Sequence, residues 1–525
     1  MGVREGTIVP APGATDHRIC PPYARDGHAA RKTEAPLSRF TISVQGMYQP
    51  ISVASVSFFR LLLKKAGVML YWRDLSRSDI DSAIPWPDAG RLYMNLSNLL
   101  RLTSQKKIAG FLMSFDPLAA KAIQGADGRE YLSRTSRLKL LPFGAIRKIP
   151  TLLLHIRRAK ESPEEEHLQS QAKLRRFMGD AIRLAREETS LVLLSETLMG
   201  RLIQDVFLNT VPLFIIGRMA LRKLKETAGE EFKEYFPKLE LSLPNNMTTE
   251  MGMAIFRMAK LLPSGLNAEE IHDGIEHTTL PQPFLSAWRQ FIDEYGFRGP
   301  LEVDVATARY RENPPLVASM LVAARGSSDK DDSVEKFTRN QEVRKSAYDA
   351  ICQGIRKRRA DEVRRFVAQY EIFQTFSGYR ESHKFCAAFV TDLVRQKILQ
   401  GERELLAGDR LQSSGQAFDL TLDQLDGAFR VPSLDLLKQA KENRAFVDRL
   451  ARVPQLPTVV DSRGLILRPL FAREPSLERG RQAAPSRYLE ARARKPSSRK
   501  ATRFSAPRAS PAASARAAAV ISESI

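Results

Sequence analysis

Two short stretches of this chain hold residue types that can act on an anion. The first, residues 291–316, packs Arg298, Glu302, Asp304, Arg309, Arg311 and Glu312 around a Gly-Phe-Arg-Gly-Pro turn. Gly296 and Gly299 permit a sharp reversal that a Cβ would hinder, which holds Arg298 near the turn. Glu302 and Asp304 alternate, so the pattern predicts both carboxylates on one face of a short extended stretch, and Arg309 and Arg311 alternate likewise. One reading is an ion-pair lattice in which Glu302 helps to fix Arg298, Arg309 and Arg311 toward an anionic substrate. The other is a lattice that pins a turn between two helices, with no ligand.

The second stretch is Tyr379-Arg380-Glu381-Ser382-His383-Lys384-Phe385. Arg380 and Lys384 are four apart, so a helix projects them from one face, at a cost of about 0.2–0.5 kcal/mol unless an anion sits between them. A phosphoryl group suits the pair, with Arg gripping its oxygens and Lys acting as a point charge. A solvated basic face has the same spacing. His383 reads as a surface residue, no histidine shows metal-ligand spacing with Cys or carboxylates, and no Gly-rich phosphate loop occurs.

These stretches need elements to position them. Residues 1–38 are rich in Pro, Gly, Arg and Ala without periodicity and predict a disordered leader. Thr41–Val44 and residues 90–96 read as short strands around an apolar stretch from Ser55 to Trp72, which suggests a small mixed α/β lead-in region. Helical sequence dominates from Pro163. Leu191, Leu194, Leu198, Leu202 and Val206 draw one apolar stripe along a long helix. Asn267 and Glu270 have capping-box spacing ahead of Ile271, and Pro281 to Ile292 predicts a further helix. A polar linker at 327–332 precedes long amphipathic helices over 334–370 and 383–406. No internal repeat is visible. The fold expected is mainly α: one large helical substrate-binding domain over 39–470, then a basic, disordered low-complexity tail over 471–525.

The formal charge is +21 in 525 residues, with 43% hydrophobic and 27% charged residues, enough apolar sequence for a real core. From Pro475 onward eleven Arg and Lys face three Glu. The rest of the excess is diffuse and suits anionic ligands or a solvated surface; no nucleic-acid-reading motif accompanies it. Cys20, Cys352 and Cys386 show no paired spacing, so neither a disulfide framework nor a zinc site is expected. The N-terminus has no apolar signal core, and the most apolar window, Val206 to Leu221, is too short and too polar to span a bilayer. No membrane contact and a cytoplasmic location are the expectation.

The first stretch resembles the Tyr-Gly-x-Arg-Gly-Pro-x-Glu-x-Asp-x-Ala-x-x-Arg-(Trp/Tyr)-Arg-Glu-x-Pro segment of phosphoenolpyruvate synthase and rifampicin phosphotransferase-like proteins, the PEP-utilising family. Arg380-Glu381-Ser382-His383-Lys384 is similar to the family's Arg-Glu-x-x-Lys motif. Gly401 to Leu411 and Phe418 to Leu425 follow its later pattern, with Gln424 in the usual Glu place and Asp419 in an aromatic one. Pro457 to Gly464 resembles the family's exit from this domain. Near the start, Gln45 or Gln49 matches a family glutamine. The resemblance covers about 40–470 and implies the helical, acceptor-binding part of an ATP-dependent phosphotransferase, with Arg380 and Lys384 as catalytic residues facing the reacting phosphoryl group. It implies ATP and Mg for the complete enzyme, though no cofactor in this chain, and a pyruvate-like or antibiotic-like small-molecule acceptor. Neither the family's ATP-grasp domain nor its phosphohistidine domain is recognisable, so activity from this chain alone is not expected. That leaves a substrate subunit working with separate partner chains, a truncated or frameshifted gene product, or a stand-alone, non-catalytic small-molecule-binding module.

Overall fold

The computed structural model describes residues 38–40, 50–71, 85–88, 91–113, 117–129, 131–132, 138, 141, 143–326, 333–452 and 459–461. The leader up to residue 37, the strand expected at Thr41–Val44, Gln45, Gln49, Cys20, the 327–332 linker and the tail over 471–525 lie outside the described residues.

The described chain is mostly helical. It begins with α1 (Val53–Tyr71), α2 (Leu96–Leu102), α3 (Gln105–Leu112) and α4 (Pro117–Gly125). Next come α5 (Ile149–Glu161), α6 (Pro163–Glu187), α7 (Leu191–Arg201) and α8 (Leu208–Ala228). The middle of the chain forms α9 (Met247–Lys260), α10 (Ala268–Glu276), α11 (Gln282–Tyr295) and α12 (Pro314–Arg325). The last helices are α13 (Ser333–Arg358), α14 (Ala360–Phe376), α15 (Ser382–Ala407), α16 (Leu422–Arg430) and α17 (Leu436–Ala451). Four short strands, β1 (Ser38–Phe40), β2 (Pro85–Asp88), β3 (Arg91–Asn95) and β4 (Val459–Asp461), form an antiparallel sheet in the order β2-β3-β1-β4. Phe40 sits opposite Met94 on one side and Val459 on the other. Pro85 and Pro87 fall on an edge strand, where a missing N–H costs least.

Local chemistry starts several helices. At α10, Asn267 accepts from the amides of Glu269 and Glu270 while Glu270 reaches back to the Asn267 amide, the capping box its spacing predicts. At α16, Thr421 and Gln424 make the same reciprocal pair, so Gln424 replaces the family's Glu without loss of the box.

Two expected helices are broken. The stripe from Leu191 does not run along one α-helix: residues Leu202–Phe207 widen into a π turn between α7 and α8. There the Leu208 amide reaches the Ile203 carbonyl, five residues back, and Pro212 in the next turn has no N–H to continue the ladder from Leu208. The helix expected over 334–370 is two, α13 and α14, reversing at Arg359, whose backbone is extended. The reversal lets Ile351 and Ile355 of α13 and Phe366 and Phe373 of α14 share one core. Amphipathic periodicity is the same on both arms of such a hairpin, so it does not reveal the break.

Burial divides the interior. The main core joins α1, α6, α7, α9 to α12 and α15 to α17, with Phe177, Leu198, Phe284, Val317 and Val390 at its centre. A second core joins α8, α13 and α14, and a small third one holds α3 and α4 against Leu96. The turn at 377–381 carries the chain from the second core, which ends at Tyr379, into the main core, which resumes at Phe385.

Candidate functional site

Arg380 ends that turn and Lys384 stands in the first turn of α15, so the pair straddles the helix start rather than projecting from one face of a helix. Ser377–Arg380 is a 3-10 turn, and α15 begins two residues later. Tyr379 is fully buried and its hydroxyl lies 2.9 Å from His167 Nδ1 on α6. Burial pushes the Tyr379 phenol up and the His167 imidazole down, so both stay neutral near pH 7. Gly378 lies against the backbone of Pro244 and Asn245, where a Cβ would meet carbonyl oxygen at 2.4 Å. Asn245 takes a left-handed φ of 63° and donates to the Thr375 carbonyl at 3.0 Å, closing the other side of the turn.

Held in this way, the two cationic side chains project outward, 66% exposed for Arg380 and 56% for Lys384. They share one carboxylate: Glu381 Oε1 accepts from Arg380 Nε at 2.9 Å and from Lys384 Nζ at 3.2 Å. Burial pushes the Glu381 carboxyl up, but the Lys384 and Arg380 charges outweigh it and hold it below the ordinary carboxylate range. The anion that relieves the like-charge pair is therefore Glu381 itself, a neighbour whose adjacency to Arg380 was legible in the sequence. Two cations against one carboxylate leave a net positive, exposed patch that still has donors free for a further anion. His383 does not join them: its ring packs 5.2 Å from Phe207 at the end of the π turn, and burial lowers its pKa.

Residues 296–312 are built differently from the extended stretch expected. Residues 301–306 form turns, so Glu302 and Asp304 do not share a face. Glu302 pairs with Arg298. Asp304 turns inward and accepts from the Ser52 amide at 3.1 Å, the Ser52 hydroxyl at 2.6 Å and the Ser55 hydroxyl at 2.8 Å, fixing the start of α1. Arg309 is 0% exposed and faces Asp392 of α15, Nε to Oδ1 at 3.8 Å, while Arg311 pairs with the other oxygen of the same carboxylate. Burial pushes the Arg309 guanidinium down and Asp392 up, each toward its neutral form, and their mutual attraction opposes that. Arg395, one helical turn beyond Asp392, donates to Glu312 at 2.6 and 2.9 Å and to the Val305 carbonyl at 2.8 Å.

Sequence reasoning missed Asp392, Arg395, Ser52 and Ser55. They lie about 80 and 250 positions from their partners, and no local pattern links them. The structure brings Arg298 to Glu302, and Arg309 and Arg311 to Asp392. No contact between this lattice and Arg380 or Lys384 is present among the described residues. Nor does any group of three His, Cys, Asp or Glu side chains there suit a metal ion. Cys352 and Cys386 are free and buried, and burial pushes the Cys386 thiol up to about 12. Among the described residues, no helix is long and apolar enough to cross a membrane.

Residues 207–381, from the end of the π turn to Glu381, match the family model of the rifampicin phosphotransferase fourth domain. Over these residues the chain is similar to that domain. It is 25% identical over 266 residues to a rifampicin phosphotransferase of Streptomyces sp and 25% over 268 residues to one of Streptomyces sviceus. It is 22% identical over 272 residues to that of Bacillus subtilis. Each alignment covers 48% of this chain and 30% of the relative. The chain thus matches less than a third of the length of each of these proteins. The family match ends inside the Arg380–Lys384 motif.

Proposed function

We propose that residues 39–470, opening with the small mixed α/β region around α1, form the acceptor-binding part of an ATP-dependent phosphotransferase of the phosphoenolpyruvate synthase and rifampicin phosphotransferase type. Arg380 and Lys384 would hold the phosphoryl group as it moves to the acceptor. The observation that carries this reading is the exposed cation pair tied to one carboxylate on a turn that two cores and Tyr379 hold rigid. Phosphoryl transfer depends mostly on positioning and on charge stabilisation, and an exposed Arg and Lys tied to one carboxylate would supply both. ATP and Mg supply the phosphoryl group in such enzymes; no described residue of this chain is assigned to them. An ATP-grasp unit and a phosphohistidine unit would be partners, in the cytoplasm where ATP is available. Arg298, Glu302, Arg309 and Arg311 would serve this reading indirectly, by pinning the 296–312 turn against α15.

Reconstitution tests it. The chain is combined with an ATP-grasp and phosphohistidine unit from a relative, and AMP and phosphorylated acceptor are followed. Arg380→Ala and Lys384→Ala should each lower turnover by about 100- to 1000-fold with an unchanged melting curve. Turnover equal to the parent's would remove both residues from the site. A second reading, a binding module without catalysis, is favoured by the large cavity described next, and predicts ligand binding with no AMP formed under any reconstitution.

A further inference from the structure

Away from Arg380 and Lys384, the turn Phe143–Lys148, α5, α6 and the π turn enclose a cavity of about 860 Å3. That is the size of a drug-like ligand site. Its walls are largely apolar, and several of the side chains that build them are open to solvent: Phe143 37%, Ile149 45% and Leu152 37%. Exposed apolar side chains gathered around one hollow mark a surface that something apolar covers.

Two buried polar side chains break the apolar wall. His155, 6% exposed, holds its Nδ1 2.5 Å from Oε1 of Glu166, which is 1% exposed. A carboxylate only accepts, so Nδ1 donates to Glu166 and Nε2 is left for a further hydrogen bond. Asn209, 3% exposed, donates through Nδ2 to the Ser170 hydroxyl at 2.8 Å and faces the Ser170 carbonyl at 3.4 Å. That carbonyl requires a donor and so fixes the amide's orientation, leaving Oδ1 buried with no hydrogen-bond partner.

The rim is basic. Lys148, Lys173 and Arg176 line the cavity, are exposed, and form no ion pair among the described residues. Arg201 is engaged with Asp180 at 2.7 Å and Asp205 at 3.1 Å, which accounts for the nearby carboxylates.

We propose that this cavity is a binding site for an amphipathic organic anion. The ligand would have an apolar, ring-sized body, a hydrogen-bonding N–H that reaches His155 Nε2, and an acidic group on the Lys148, Lys173 and Arg176 rim. The proposal does not depend on phosphoryl transfer, since binding is measured without ATP.

Two dyes test it on the whole chain: 8-anilino-1-naphthalenesulfonate, which has all three features, and N-phenyl-1-naphthylamine, the same body and N–H without the sulfonate. Each should bind at one saturable site while near-UV circular dichroism shows intact packing, which separates binding from adsorption to a loosened core. Leu152→Trp fills the hollow and should abolish saturable binding of both. Lys173→Glu with Arg176→Glu should weaken the sulfonate about tenfold and the neutral dye by less than about twofold. His155→Phe should weaken both; if it fails to fold, Leu152→Trp, on the solvent side of α5, decides. Absence of saturable binding, binding unchanged by Leu152→Trp, or a charge reversal that affects the two dyes equally would each overturn the proposal.

Discussion

At the residue scale, the same side-chain types do opposite jobs according to burial. Arg309 and Arg380 differ only in what surrounds them: one is sealed against Asp392, the other stands in water beside Glu381. Carboxylates divide in the same way, and pH separates them. Burial pushes Glu312 up, but Arg395 outweighs it and holds the carboxyl below the ordinary range. Its folded pKa is thus lower than its unfolded one, so its stabilisation is complete above the ordinary carboxylate range and is lost as pH falls through the lowered value. Asp419 runs the other way. Burial pushes it up to about 6, so its contribution is present below the ordinary range and is lost as pH climbs toward about 6. Urea midpoints between about pH 3 and pH 7 should show both limbs. Glu312→Gln should flatten the acid limb and Asp419→Asn the fall toward neutral pH; a curve of unchanged shape in either variant would remove that residue from the account.

At the element scale, two helix starts were readable from local residues: the Asn267–Glu270 box by its spacing, and Thr421–Gln424 through the family likeness. What no local pattern reveals is a distant carboxylate that adds to a start, even one with its own cap such as Ser190, which accepts from the Leu193 amide at 3.2 Å. At α7 the N-cap Ser190 is joined by Asp426 of α16, which accepts from the Ser190 hydroxyl at 2.5 Å and the Leu191 and Val192 amides at 2.7 and 3.1 Å. Asp304 does the same for α1 from about 250 residues away. Such a carboxylate satisfies otherwise orphaned amides and meets the positive end of the helix dipole. Asp426→Ala should therefore cost about 2 kcal/mol in urea denaturation, against less than about 0.5 kcal/mol for the exposed Glu442→Ala. Equal losses in the two variants would mean that the cap contributes nothing. Helix breaks were hidden for a related reason: the π turn at 202–207 and the reversal at Arg359 preserve the apolar period on either side.

At the scale of the whole molecule, α15 ties the 377–381 turn and the 296–312 turn to the main core. It leaves the 377–381 turn, buries Phe385, Val390, Val394 and Ile398 in the main core, and carries Asp392 and Arg395 to the 296–312 turn. By contrast, α5 buries only His155 and Ala159. Hydrogen exchange followed by mass spectrometry should find the amides of α15 the slowest in the chain and those of α5 among the fastest helical ones. Exchange of α15 as fast as that of α5 would contradict a structure organised around it. A slow α15 would also mean that the turn carrying Arg380 and Lys384 starts from the most stable part of the molecule, the right place for a site that works by fixed position.

The sequence by itself determined the helical class, the local capping boxes, the charge-rich turn, and the Arg380–Lys384 pair with its family likeness. Each of these is a short-range property: spacing, propensity, or a motif a few residues long. Only the tertiary structure decided that Asp304 ties down α1, that Asp392 and Arg395 complete the lattice, and that Asn209 and His155 face one cavity. Those are contacts between residues far apart in the chain, and their energy comes from burial, which exists only once the helices have packed.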